Sequence, residues 1–164
     1  MRICLAAALL FAAGSALADE ASARLVDFEL RSLQEPAHHE LTRYEGAPLL
    51  MVFFQPECSW CHRQVAAINE FRSQCEARFQ AIAVGVNGNR RQLQTELRRI
   101  KPSFPAYEAS PALIRSLGGV PATPFALLSN ADGELVNWSR GFLDSEKLGP
   151  FLESAGELEC GDGT

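Results

Sequence analysis

Two cysteines three positions apart, Cys58 and Cys61 in FFQPECSWCHRQ (residues 53–64), are the residues of this chain best suited to chemistry. A close thiol pair can clamp a soft metal, staple the chain, or exchange electrons with other thiols through a reversible disulfide. A zinc ribbon wants a second close pair, and Cys75 and Cys160 stand alone. His62 adjoins Cys61, and His38 and His39 form an imidazole pair, but soft-metal sites show a repeated ligand spacing that this sequence lacks. Metal is therefore disfavoured and no cofactor is expected. Staple and redox dithiol both stay open until the surrounding elements are placed.

Compartment bears on the choice. MRICLAAALLFAAGSALADE has one early positive charge at Arg2, an apolar block from Ile3 to Ala13, a small-residue run ending at Ala18, and then acids. That is the layout of a secretory signal peptide, with residues 1–18 removed and residues 19–164 left as one domain. The apolar block is well short of the roughly 20 residues needed to span a bilayer. Export to the periplasm, an oxidising compartment, is the expectation, and an even number of cysteines remains after Ala18. The net charge of −5 does not suggest nucleic acid as a partner. Arg90, Arg91, Arg98, Arg99 and Lys101 cluster on one helical stretch without interleaved aromatics, which reads as a solvated helix face.

The elements that must position the cysteines follow from periodicity. RLVDFELRSL alternates like a strand, and PLLMVFF (residues 48–54) is a continuous apolar run typical of a strand buried on both faces. After Cys58 the pattern turns helical, with Cys61, Val65, Ile68, Phe71 and Cys75 at steps of three and four. FQAIAVGVN predicts another buried strand, RRQLQTELRRI a helix, and SPALIRSLG a short helix ended by Gly118-Gly119. PFALLS and GELVNWSRG flank Asn130-Ala131-Asp132-Gly133 and predict an antiparallel hairpin. DSEKLGPFLESAG predicts a closing helix capped by Asp144 or Ser145, with a kink at Gly149-Pro150. The whole is α/β: a central mixed β-sheet with helices on both faces.

A buried strand that delivers C-x-x-C onto a helix N-terminus resembles the thioredoxin fold. The longer pattern is similar to the exported TlpA/DsbE-like thiol-disulfide oxidoreductases, through DFEL, LLMVFFQPECSWC, SFPAYEA and VPATPFALLSNADGELV. The resemblance implies a cis peptide bond before a proline facing the dithiol. Thr123-Pro124 fits the family spacing to Gly133, whereas choosing Val120-Pro121 would put Pro124 inside the following strand. Thr123 and Pro124 thereby inherit substrate main-chain pairing and the exclusion of metal.

At a helix N-terminus the unsatisfied N–H groups and the dipole stabilise an anion, so Cys58 is expected to be the attacking thiolate and Cys61 the resolving thiol. A permanent Cys58–Cys61 staple would close too small a loop to constrain the unfolded chain much. Trp60, between the cysteines, is a candidate substrate-facing plate. Neither Ser59 nor Trp60 brings a positive charge, which points away from a strong oxidant and towards a reductant of exported proteins. Many reductive members carry an acid three residues after the second cysteine, where this chain has Gln64, which speaks against a dedicated haem-thiol reductant. Glu57 is expected to be a solvated loop acid, with partial substitution for that acid as the alternative.

Cys75 lies 14 residues beyond Cys61, roughly 21 Å along a helix, too far to join the dithiol. In the resembled fold its helix and the C-terminal helix run away from the active site together, which implies a structural disulfide between Cys75 and Cys160. Closing that loop of about 85 residues would add on the order of 4 kcal/mol. The resemblance further implies a membrane thiol-disulfide transporter as electron donor. With no dimerisation segment evident, a monomer is expected. The competing functions are a disulfide-donating oxidase, an isomerase, and a thioredoxin-fold module that carries copper(I).

Overall fold

The computed structural model describes residues 24–75 and 79–156. The expected signal peptide and Cys160 lie outside the described residues. Seven strands form one sheet in the order β2-β1-β5-β4-β3-β6-β7. Its centre is β3 (Leu49–Phe54), parallel to β4 (Gln80–Gly85) on one side and antiparallel to β6 (Phe125–Ser129) on the other. All six residues of β3 are buried, as its unbroken apolar sequence predicts for a strand covered on both faces.

Alternation along β3 divides the core in two. Leu50, Val52 and Phe54 pack with Cys61, Val65 and Ile68 of α1 (Ser59–Gln74), Leu93, Leu97 and Ile100 of α2 (Arg90–Ile100), and Leu148, Phe151 and Leu152 of α4 (Ser145–Glu153). Leu49, Met51 and Phe53 pack on the other face with Leu25, Leu41, Tyr44 and Leu113, the last from α3 (Pro111–Ser116). The mixed sheet with helices on both faces is as expected. β6 and β7 (Leu135–Arg140) form the expected hairpin, and α4 is capped by Asp144, whose carboxylate accepts from the Lys147 N–H. Among the described residues no helix is long and apolar enough to cross a membrane.

Two features depart from the sequence reading. The N-terminal strand is shorter than RLVDFELRSL suggests: β1 covers only Glu29–Ser32. Residues 24–27 instead seat on the β6–β7 turn, where Leu25 N–H donates to the Gly133 carbonyl at 2.8 Å. Gly133 has φ +83°, and a Cβ there would meet Val26 at 2.2 Å, so only glycine allows the approach. The short strands β2 (His38–Glu40) and β5 (Ala106–Glu108) are too brief to leave a periodic signal. β5 nevertheless extends the sheet, parallel to β4 and antiparallel to β1.

Candidate active site

The C-terminal end of β3 hands the chain directly to the cysteine pair. Cys58 is the N-cap of α1 and Cys61 lies in its first turn. A disulfide joins them, and their Cα atoms are 5.2 Å apart. Cys58 Sγ accepts from the Cys61 N–H at 3.2 Å, so the sulfur itself occupies the capping position that serine or aspartate usually fills. Its main-chain carbonyl receives Cys61 N–H at 3.0 Å. A sulfur held there faces the positive end of the helix and its unsatisfied N–H groups, an environment that favours a thiolate. No acid stands in the first turn of α1 to oppose this. Both residues are buried, Cys58 at 8 % exposed and Cys61 at 1 %.

The Thr123–Pro124 peptide bond is cis. Phe125 pairs with Phe53, so Pro124 follows on at the end of β3 from which the motif loop departs. The Pro124 carbonyl accepts from the Gly141 N–H at 2.9 Å, and Thr123 is half-buried beside it in sequence. Trp60 is 51 % exposed. Its ring is backed by Phe142, with centroids 5.7 Å apart, and covered by the Arg63 guanidinium 4.6 Å from its centroid. That contact holds the indole in place without burying it.

The remaining expected site residues lie elsewhere. Cys75 is buried at the C-cap of α1, at the opposite end of the helix from Cys58, and Cys160 is outside the described residues. His38 and His39 sit in β2, where His38 Nδ1 meets Glu29 at 3.0 Å and His39 Nε2 meets Glu35 at 2.7 Å. The basic stretch on α2 is not uniformly solvated. Arg90 turns inward to donate to the Ser32 carbonyl at 2.6 Å and to Glu108 at 3.4 Å.

Two buried polar side chains near the motif were not singled out by periodicity as core residues. Gln64 accepts from the Leu143 N–H at 2.7 Å and donates to the Leu143 carbonyl at 3.2 Å, clasping the corner between β7 and α4. Glu96 of α2 accepts from the Glu57 N–H at 3.2 Å and hydrogen-bonds His62 Nε2 at 2.7 Å. Glu57 itself has φ +60° and an exposed side chain, so its main chain, not its carboxylate, is what the site uses. A signal for both was present: Gln64 and Glu96 each occupy the i+3 position of an apolar i, i+3, i+4, i+7 stripe (residues 61, 64, 65, 68 and 93, 96, 97, 100).

A family model described as a thioredoxin-like domain matches residues 38–156. The chain belongs to the thioredoxin-like family. At positions 58 and 61 it carries the C-x-x-C pair of that family's thiol-disulfide oxidoreductases. A comparison with curated proteins finds no match. Solved structures share the fold at low identity. A thiol:disulfide interchange protein of the thioredoxin family from Chlorobium tepidum is 17 % identical with a TM-score of 0.69, over 84 % of this chain and 99 % of its own. DsbF from MTB, seen in mixed oxidised and reduced forms, is 13 % identical with a TM-score of 0.69, over 80 % of this chain and 97 % of its own. A secreted Mycobacterium tuberculosis disulfide oxidoreductase homologous to Escherichia coli DsbE is 14 % identical with a TM-score of 0.65, over 79 % of this chain and 96 % of its own.

Proposed function

We propose that this chain is a periplasmic thiol-disulfide oxidoreductase that reduces disulfides in exported proteins. The observation that carries the reading is the bonded cysteine pair at the start of α1, with the less buried cysteine at the N-cap. In the reduced protein the Cys58 thiolate attacks one sulfur of a substrate disulfide, forms a mixed disulfide and expels the other substrate sulfur as a thiolate. Cys61 then attacks Cys58 Sγ, which releases the second substrate thiolate and closes the Cys58–Cys61 bond. Two electrons pass to the substrate, and a thiol donor must restore the pair. A membrane thiol-disulfide transporter fits that need.

Thr123, Pro124 and Trp60 form the proposed substrate surface beside Cys58. The reducing direction is supported by how the nearby cations are used. Arg63 lies on the Trp60 ring and His62 is turned to Glu96, so neither side chain is committed to stabilising a Cys58 thiolate. Export rests on the N-terminal sequence pattern, and one of the fold relatives is described as secreted. Cys75 and Cys160 are proposed to form a structural disulfide; α1 and α4 pack in the same core layer, and the chain beyond α4 leads to Cys160.

Replacing Cys58 with serine tests the reading. The mature Cys58→Ser protein should lose thiol-dependent reduction of insulin entirely, since serine cannot form the mixed disulfide. Retained turnover would remove Cys58 as the nucleophile.

A further inference from the structure

We propose that Glu96 is a positioning residue that sets the balance between the dithiol and the disulfide of Cys58 and Cys61, acting through His62 and the Glu57 main chain. The inference rests on the oxidoreductase reading above. Glu96 is 1 % exposed, and a carboxylate so deeply buried is costly unless it is held by hydrogen bonds and charge. Its partners bracket the motif. Oε2 takes the N–H of Glu57, the residue before Cys58, and Oε1 meets the ring of His62, the residue after Cys61. One carboxylate therefore ties down both flanks of the four-residue motif.

Three further contacts come from the same side. Asn87 donates to the Gln55 side chain at 2.9 Å, Val86 N–H donates to the Phe54 carbonyl at 2.9 Å, and Gly88 lies so close to Pro56 that a Cβ there would be 2.6 Å from its ring. α2 and the loop before it thus hold the motif loop from Phe54 to His62. α1 has no carboxylate to offer at the corresponding place, because Gln64 is an amide spent on Leu143.

The consequence is electrostatic. A fixed negative charge beside the motif disfavours a second one, the Cys58 thiolate, and so favours the oxidised pair. It also draws the His62 ring to itself. The groups facing Glu96 are His62 from α1, the Glu57 N–H from the motif loop, and Arg99 from its own helix, 3.6 Å away and 58 % exposed, which screens it only in part. Reduction by glutathione writes the balance: the disulfide and two glutathione thiols give the dithiol and one glutathione disulfide, with two electrons and two protons entering the pair.

The test uses the mature chain with its cysteines intact. Glu96→Gln keeps the size and an acceptor for Glu57 and removes the charge. It should move the equilibrium with glutathione about tenfold towards the dithiol, equivalent to a potential about 30 mV less negative. The pH midpoint for alkylation of Cys58 by iodoacetamide should fall with it. His62→Ala leaves the carboxylate without its imidazole and should shift the equilibrium the other way, towards the disulfide. A Glu96→Gln equilibrium within twofold of the native value overturns the proposal, as do shifts of the same sign in both variants. Should the native protein itself neither equilibrate with glutathione nor reduce insulin, the oxidoreductase reading falls and takes this one with it; a native protein that does both leaves Glu96 as the sole claim at stake.

Discussion

At the scale of single residues, the site is built from an asymmetry between two sulfurs and from two polar side chains placed where apolar ones would ordinarily go. Cys58 caps the helix and is slightly the less buried of the two, whereas Cys61 is almost fully enclosed in the first turn. The proposed roles, attack by the first and resolution by the second, rest on that difference. Gln64 shows how an amide, at a position where many members of the resembled family carry an acid, takes on a structural task. It meets both the N–H and the carbonyl of Leu143, using an acceptor and a donor that an ionised carboxylate, which only accepts, could not both supply. Gln64→Ala should leave two buried main-chain groups unpaired and cost about 2–4 kcal/mol in urea unfolding, with an unchanged denaturant slope. A loss under about 0.5 kcal/mol would mean that water replaces the amide. The cysteine pair stood out by its spacing, and its redox reading came from the strand and helix placed around it. Gln64 and Glu96 were less legible, because a polar residue within an apolar stripe looks like an interruption until its partner from another element is known.

At the scale of elements, the motif loop is clamped between α1 and α2. β3 ends at Phe54, and from there the chain is held by Asn87, Gly88 and Glu96 before α1 takes over. α2 is itself well anchored at its start, where Asn89 and Gln92 exchange side-chain and main-chain hydrogen bonds as a capping box. Gly88 approaches Pro56 so closely that the position has no room for a Cβ. Gly88→Ala would press a methyl group against a stiff ring and should cost about 1–3 kcal/mol, read as a lower thermal midpoint. An unchanged midpoint would show that the loop gives way freely. The strands and helices that carry strong periodicity, β3, β4, α1 and α2, were legible in the sequence. β2 and β5 were not, since three-residue strands owe their existence to the neighbours that pair with them. The segment before β1 reads as a strand by alternation, yet its apolar residues are used to cover the turn at Gly133.

At the scale of the whole molecule, the fold places a reactive pair at one end of a doubly covered sheet and leaves an aromatic plate exposed beside it. The two core layers come from the alternation of β3, and the helices above one layer fix both the motif and its flanks. The choice of Thr123-Pro124 over Val120-Pro121 was legible because a proline cannot serve inside a paired strand, and Pro124 stands just ahead of β6. What spacing could not supply was the electrostatic setting of the pair, which depends on a carboxylate from α2 that is 38 residues away from Cys58 in sequence. The central claim is that Cys58 and Cys61 form a reducing dithiol, and the reduction potential of that pair tests it most directly. Equilibrated in defined thiol buffers, the mature protein should give a value near or below about −220 mV, in the range of thioredoxin-like reductants. A value near about −120 mV would make it a disulfide donor and contradict the direction proposed here.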